Sequence, residues 1–83
     1  MDLRFHHANI AKHGITPDEV EECFSDSRKI VRASSGAYWL LAKTQAGRLL
    51  EIGFIKKPEG SAFVFHAMNA KSFQRKQYKR RAK

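Results

Sequence analysis

Cysteine, long apolar runs and internal repeats are scarce or absent in this sequence, and each shortage excludes a class of protein. Cys23 is the only cysteine in 83 residues, so the chain forms no internal disulfide. No apolar run approaches the roughly 20 residues that cross a bilayer as a helix, and Met1–His7 does not resemble a signal peptide. We therefore expect a cytoplasmic protein without membrane contact. Without repeats or a long linker, residues 1–83 are predicted to form a single domain.

Acidic residues are also few, which leaves the chain strongly basic. Eight Asp and Glu stand against sixteen Lys and Arg, giving a formal net charge of +8. A surface with this balance attracts phosphate or acidic protein. The charges are segregated, because five acids fall within residues 18–26, whereas residues 71–83 hold seven bases and no acid. The basic segment is therefore either a nucleic-acid contact or a solvated end.

Local signals predict two helices in the first third of the chain. Thr16 is a capping residue, Pro17 suits the first helical position, and Glu19 completes a capping box. A shorter helix is predicted over Phe5–His13. Gly14 follows it, at the position where a left-handed residue ends helices.

The middle of the chain has the pattern of strands separated by short turns. Turn residues at Ser34–Gly36, Thr44–Gly47 and Lys56–Gly60 divide apolar and alternating segments, which favours an antiparallel meander. A basic helix is predicted over about Ala70–Arg81, packed on the sheet through Phe73 and Tyr78. We thus predict an α+β fold with N-terminal helices, a three- to four-stranded antiparallel sheet and a C-terminal basic helix.

Four segments match a known pattern in order and spacing. Asn9–Thr16 has the form Asn-x-x-Lys-His-Gly-[Val/Ile]-[Ser/Thr], and an acidic helix ending at Phe24–Asp26 follows it. Gly47–Leu50 has the form of a Gly-Arg-x-Leu hairpin, and Phe63–Tyr78 that of a last strand and helix ending in Arg-x-x-Tyr. Over nearly its whole length the chain therefore resembles the BrnT-type toxins of type II toxin–antitoxin systems.

The resemblance implies a fold similar to the RelE-type ribonucleases. It implies an endoribonuclease that cleaves RNA without a metal ion or cofactor and inhibits growth. It also implies a hetero-oligomer with a dimeric ribbon-helix-helix antitoxin, in a complex that binds its own operator. The chain departs from the family at Phe63–Met68, where the family commonly has Arg-Ile-Ile-Ser-Ala-Arg, and at Gln74, where it has Glu. The absence of both strand arginines is typical of a divergent branch.

Metal-free RNA cleavage needs a base for the 2′-OH, cations for the phosphorane and an acid for the leaving oxygen. His66 is the best candidate for acid or base, because imidazole exchanges protons near neutral pH. The alternative is a partly buried structural histidine. Alternation along the last strand places it opposite Phe63 and Phe65. Arg48 and Arg75 are the predicted catalytic cations, although Arg48 is equally typical of a solvated turn residue.

Further residues are predicted to hold RNA. The candidate nucleic-acid-binding residues are Lys12, His13, Lys71, Tyr78, Lys79, Arg80 and Arg81. The Lys and Arg side chains of the last helix would position phosphate without selecting a sequence. For Tyr78, packing on the sheet is favoured over base stacking. For His13, a structural role at a helix end is favoured over chemistry.

The same residues leave other interpretations open. One is a non-catalytic RNA- or DNA-binding protein of the same fold, and another is an interaction protein whose basic face receives an acidic antitoxin segment. A metal site at His6, His7 and His13 lacks a fourth ligand at familiar spacing, so no metal is predicted. Cys23 lies on the apolar face of an acidic helix, where a structural role is favoured over that of a nucleophile.

Overall fold

The computed structural model describes residues 2–81, with Arg81 described by its backbone alone, and has five strands and three helices in this range. The strands are β1 (Asp2–Phe5), β2 (Ile30–Ser34), β3 (Ala37–Lys43), β4 (Leu49–Lys56) and β5 (Ser61–Asn69). The helices are α1 (His7–Ala11), α2 (Pro17–Phe24) and α3 (Ser72–Arg81). None of these three helices is long and apolar enough to cross a membrane.

The strands form one sheet in the order β1-β5-β4-β3-β2. The pairs linked by hairpins are antiparallel, whereas β1 pairs in parallel with β5. The α+β class is thus confirmed, but the sheet is mixed and has five strands in the described range. The additional strand is β1, for which the sequence predicts no element. Only its last residue, Phe5, falls within the helix predicted over Phe5–His13, and α1 begins two residues later, at His7. Its four residues are too few for a clear alternation, and its partner strand lies far along the chain.

Local capping sets the limits of the first two helices. Glu19 N donates to Thr16 Oγ1 at 3.2 Å, and Thr16 N donates to the Glu19 carboxylate at 3.0 Å, which confirms the capping box. Gly14 has a φ of 70° and follows α1, as its position predicts. Ile15 and Val20 are buried on either side of the cap, so the first turn of α2 is held against the sheet.

The two faces of the sheet are covered differently. The face packed against α1 and α2 carries the larger core, which includes Ile10, Ile15, Val20, Cys23, Leu40, Leu50, Ile52 and Val64. The other face, which we call the open face, carries a smaller cluster of Leu41, Leu49, Ala70 and Tyr78, where α3 packs. The rest of the open face presents the partly exposed side chains of Trp39, Glu51, Phe65 and His66.

A β-bulge in β5 decides which face His66 occupies. Gly53 of β4 pairs with His66, and the next residue, Phe54, pairs with Val64. Phe65 therefore has no partner on β4 and is the inserted residue of the bulge. Phe65 and His66 therefore both lie on the open face, where each contacts the Trp39 ring. The prediction that His66 lies opposite the phenylalanines of this strand is wrong, because simple alternation assumes a strand without an inserted residue.

Helix α3 packs through Gln74 and Tyr78, so the predicted contact through Tyr78 is present, whereas the predicted contact through Phe73 is wrong. Gln74 and Tyr78 are neighbours on one helix face and are only 9% and 5% exposed, whereas Phe73 is 58% exposed. The Tyr78 hydroxyl donates to the Asp26 carboxylate at 2.6 Å. Hydrogen-bond partners on other elements thus set the rotation of α3. The helix also begins later than predicted, because the Ala70 N–H still bonds to a carbonyl of β4.

Candidate functional site

Four residues form a row across the open face. The strand register pairs Arg32 with Trp39, Trp39 with Gly53, and Gly53 with His66. Directly paired residues project from the same face, and neighbouring strands lie about 4.8 Å apart. The row therefore spans four strands, from the edge strand β2 to β5, and brings a guanidinium, an indole and an imidazole onto one surface.

His66 is held by Glu51, on the same face of β4. The His66 Nε2 atom is 3.1 Å from Glu51 Oε1. The Gln74 amide donates to the other carboxylate oxygen, and its own oxygen accepts from the Lys71 N–H at 2.7 Å. Both side chains of the pair keep contact with solvent, at 28% and 26% exposure. When Nε2–H donates to Glu51, His66 Nδ1 carries the lone pair, and no group within residues 2–80 bonds to it.

The lack of a side chain at Gly53 allows the aromatic rings to approach one another. A Cβ atom at this position would lie 2.8 Å from Trp39 and 2.9 Å from Phe65, closer than side chains approach in folded proteins. The Trp39 ring is edge-on to Phe65 and to His66, with centroid distances of 5.6 and 5.5 Å. Trp39 and Phe65 thus form an aromatic wall beside the His66–Glu51 pair.

A groove lies between α3 and the open face, next to this wall. Its volume is about 470 Å³, and its lining includes Arg32, Trp39, Glu51, Phe73, Gln74 and Gln77. A second groove continues from it along β2, shares Arg32 and Gln77, and adds Arg80. We call the two together the α3 groove. It combines apolar rings, amides and guanidinium groups on one continuous surface.

Arg48 makes several bonds inside the protein. Its Nε donates to Asn69 Oδ1 at 2.8 Å, and its Nη1 donates to the Gly14 carbonyl and to Glu19 Oε2, both at 3.2 Å. Its Nη2 donates to the His13 carbonyl at 3.4 Å. Backbone hydrogen bonding at the helix cap lowers the pKa of Glu19, and Arg48 lowers it further. Arg48 thus joins the turn after α1 to α2 and to the end of β5.

The fold brings His13 close to His66. Their ring centroids are 6.4 Å apart. Helix α1 packs against β5, and Asn9 Nδ2 donates to the Phe65 carbonyl at 3.0 Å. Lys12 lies exposed just after α1. Asn9 and His13 of the Asn-x-x-Lys-His-Gly segment thus border the part of β5 that carries His66.

The bases of the C-terminal segment lie at the surface. Lys71, Arg75, Lys79 and Arg80 are exposed, and the side chain of Arg81 lies outside the described residues. Arg75 and Lys79 border a separate groove with Lys43. Across residues 2–80, no hydrogen bond or ion pair links Arg75 to His66. The fold therefore does not bring the three predicted catalytic residues together. His66 lies next to His13, the Arg48 guanidinium is hydrogen-bonded to Asn69, Gly14 and Glu19, and Arg75 lies in a different groove.

Tyr78 lies beneath α3. It is 5% exposed and packs in the cluster with Leu41 and Leu49. Burial, and then the hydrogen bond to Asp26, raise the pKa of Tyr78 to about 12. A ring in this position packs on the sheet and offers little surface to a base.

The histidines of α1 and the cysteine of α2 have local structural contacts. Within residues 2–81, no three His, Cys, Asp or Glu side chains are grouped so that they would hold a metal ion. His6 Nδ1 accepts from the Asn9 N–H at 3.2 Å and caps α1. Cys23 Sγ donates to the Ala42 carbonyl at 3.6 Å, and burial raises the pKa of the Cys23 thiol to about 12. A thiol in this state is a poor nucleophile.

Three residues of this site, Arg32, Trp39 and Glu51, are not among the candidates that the sequence suggests. Glu51 had a detectable signal, because it is the one acid of β4 and lies between the apolar residues Leu50 and Ile52. Arg32 and Trp39 become visible only with the strand register, which sets them in a row with His66.

Comparisons with known proteins assign neither a family nor an activity to the chain. No protein-family model matches it, and no curated protein matches it significantly. The resemblance to BrnT-type toxins therefore depends on the sequence segments described above, and the function must be argued from the geometry of the site.

Proposed function

We propose that the protein is a metal-independent endoribonuclease of the toxin type, belonging to a divergent BrnT-type branch, which cleaves RNA in the cytoplasm and inhibits growth. The observation that carries the proposal is the His66–Glu51 pair, 3.1 Å apart on the open face. An imidazole held by a carboxylate is suited to act as a general base. The carboxylate fixes the tautomer and stabilises the imidazolium that forms.

Two imidazoles divide the proton transfers between them. His66 Nδ1 takes the proton of a ribose 2′-OH, whose oxygen attacks the neighbouring phosphorus. The bond between that phosphorus and the 5′ oxygen of the next nucleotide breaks. The leaving oxygen takes a proton from His13, whose ring centroid is 6.4 Å from that of His66. The products are a 2′,3′-cyclic phosphate and a free 5′-OH.

The distribution of charge supports RNA as the substrate. Several carboxylates accept hydrogen bonds from other groups of the protein, namely those of Glu19, Glu22, Asp26, Glu51 and Glu59. The bases of α3 from Arg75 to Arg80 are exposed, and none of these four pairs with a carboxylate. The resulting positive field attracts a phosphate backbone.

The test is cleavage of a labelled single-stranded RNA by the purified protein in EDTA. Wild-type protein is expected to produce fragments ending in a 2′,3′-cyclic phosphate. General-base catalysis contributes about 10²–10⁴ in rate, so His66→Ala should lower the rate by at least about a hundredfold. Glu51→Gln should have a smaller effect, because the imidazole remains. His7→Ala is the matched control, since His7 is an exposed histidine of α1 outside the site.

Two results would contradict the proposal. One is cleavage that survives His66→Ala, which would place the chemistry elsewhere or in a contaminating nuclease. The other is RNA that stays intact both in buffer and in a translating extract, where ribosome-bound message is also present.

A second candidate function is non-catalytic RNA binding by the same face. It is favoured by one observation, that no arginine within residues 2–80 hydrogen-bonds to the His66–Glu51 pair, where cleavage needs a cation for the phosphorane. Intact RNA that shifts on a gel, with steep salt dependence, would support binding alone.

We also propose a ribbon-helix-helix antitoxin as the partner, with an acidic segment of it bound against the exposed bases of α3 between Arg75 and Arg80. Co-purification of such a protein, encoded beside this chain, is the expected result. Growth that is unaffected by expression of this chain alone would count against the toxin assignment.

A further inference from the structure

We infer that the α3 groove binds one unpaired nucleotide of single-stranded RNA, with its base between Trp39 and Phe73 and its phosphate at Arg32 and Arg80. This site deepens the proposed function by naming the form of RNA that the protein takes. The nucleotide site depends on the proposed function only in taking RNA as the ligand, because binding in the α3 groove does not require cleavage.

The apolar end of the groove is formed by two rings that the fold leaves uncovered. Phe73 is 58% exposed although it lies on the helix that packs against the sheet. Trp39 lines the same groove from β3, and the space is about 470 Å³. Small-molecule sites have this size and are mainly apolar, with a few polar groups that fix orientation. A planar base fits such a site, because stacking on aromatic rings is favourable for every base.

The other end of the groove is cationic. Arg32 projects from the edge strand, and Arg80 borders the continuation of the groove along β2. The carboxylate in the lining is Glu51, and its two oxygens already accept bonds from His66 and Gln74. Two guanidinium groups stand against this one carboxylate, so the net charge at the groove is positive, which suits a phosphate that Arg grips in a fork.

The combination of rings and guanidinium groups favours a nucleotide over an acidic peptide. Both ligands would gain from Arg32 and Arg80, but only the nucleotide places a flat ring against Trp39 and Phe73. The base must also be unpaired, because a base inside a duplex cannot enter a groove between a helix and a sheet without leaving its stack. Trp39 contacts His66 at a centroid distance of 5.5 Å, so the bond to be cleaved belongs to the nucleotide beside the stacked base.

The site can be tested directly, because Trp39 is the one tryptophan of the chain. The probe is a short single-stranded 2′-O-methyl RNA, whose blocked 2′ oxygen cannot attack phosphorus. We expect it to quench Trp39 fluorescence on binding, and we expect the matching duplex to leave the fluorescence unchanged. Phe73→Ala should weaken binding about tenfold, or about 1.4 kcal/mol, because it removes one of the two rings on which the base stacks. Arg32→Ala should reduce the slope of log affinity against log salt by about 1.

Matched controls separate the site from general effects. Ile55→Ala removes another exposed apolar side chain, 37% exposed, outside the groove. Arg4→Ala removes a charge from β1, at the opposite edge of the sheet from β2. Both controls should bind within about twofold of wild type. Phe73 is largely exposed, so Phe73→Ala should fold normally, as circular dichroism will show.

Each remaining outcome decides one of the two proposals. Equal quenching by single strand and duplex, or unchanged affinity of Phe73→Ala, would overturn the nucleotide site. A poly-glutamate peptide that binds as tightly and changes Trp39 in the same way would also overturn it and identify a site for acidic protein. Quenching and the Phe73 effect, with unmodified RNA left intact both in buffer and in a translating extract, would refute the ribonuclease and leave the nucleotide site supported.

Discussion

Replacement of Tyr78 by Phe is expected to weaken the attachment of α3 without altering its packing. The substitution removes the hydroxyl that donates to Asp26 at 2.6 Å and leaves the buried ring in its apolar cluster. The Asp26 carboxylate keeps its other donors, the N–H groups of Arg28 and Lys43. The loss is therefore that of one hydrogen bond to a charged acceptor.

The magnitude follows from the type of bond and its surroundings. Hydrogen bonds to charged groups contribute about 1.5–3 kcal/mol to stability. Asp26 is partly exposed and keeps other donors, so the lower end of the range, about 1.5 kcal/mol, applies. In a domain of this size, 1 kcal/mol corresponds to about 4–8 °C in Tm, so Tyr78→Phe should lower Tm by about 6–12 °C.

Denaturant unfolding of Tyr78→Phe, Asp26→Asn and the double variant measures this bond as a coupling free energy. Tyr38→Phe is the matched control, because Tyr38 is also packed on the sheet, stacked on Phe54 with a centroid distance of 5.4 Å. The control should change stability by less than about 0.5 kcal/mol. The reasoning is refuted if Tyr78→Phe costs no more than the control, or costs the same when Asp26 is already Asn.

The same bond predicts how stability depends on pH. Burial would raise the pKa of Asp26, but hydrogen bonds from Tyr78, Lys43 and Arg28 outweigh it, and the pKa is lowered. The stabilisation of the folded state by ionised Asp26 is thus complete above the carboxyl pKa of about 4 in the unfolded chain. It is lost as pH falls through the lower pKa that Asp26 has in the folded state. The stabilisation of the folded state by the protonated Tyr78 hydroxyl is complete below about pH 10. It is lost as pH rises through the folded-state pKa of Tyr78, which is about 12. The difference between wild type and Tyr78→Phe should therefore be largest near neutral pH and shrink in strong acid.

Three further substitutions test other parts of the fold and site. Gly53→Ala should cost about 1–3 kcal/mol by overpacking, because its Cβ would meet Trp39 at 2.8 Å, and a shift in Trp39 fluorescence should accompany the loss. An unchanged midpoint would mean that the rings move at no cost. Thr16→Ala should lower the free energy of unfolding by about 1 kcal/mol through loss of the cap, and Thr16→Ser should restore most of it. Arg48→Met should cost about 1–3 kcal/mol in stability while RNA binding persists, since its guanidinium is bonded to Asn69, Gly14 and Glu19. Lost RNA binding at unchanged stability would instead support the phosphate-binding role that the sequence suggests for it.

Features decided by a few consecutive residues could be predicted from the sequence. The capping box of α2 is one, because donors and acceptors of Thr16 and Glu19 meet within one turn of chain. The turn at Ser34–Gly36 is another. It contains Ser35 and Gly36 in the left-handed region, with φ of 52° and 81°, and glycine adopts that region without strain.

Features decided by distant partners could not be predicted in this way. The bulge at Phe65 depends on the pairing of β5 with β4, and it reverses the alternation just before His66. The rotation of α3 depends on the Tyr78–Asp26 bond, which overrides the more hydrophobic Phe73. The site has the same origin, because its components come from four strands and a helix and meet only once the register is set. A single-residue error in register would have placed His66 in the core.

The bulge has a consequence for how length changes in this chain are tolerated. Without Phe65, Val64 and His66 would be consecutive, and inward and outward positions would alternate regularly along the whole of β5. A deletion of this one residue would therefore preserve the facing of every other side chain in the strand. It would, however, remove the carbonyl that accepts the Asn9 amide and the ring that packs against Trp39. The inserted residue thus holds the first helix and the Trp39 ring on the open face. Variants of this chain one residue shorter at this point should keep the sheet but lose the position of His13.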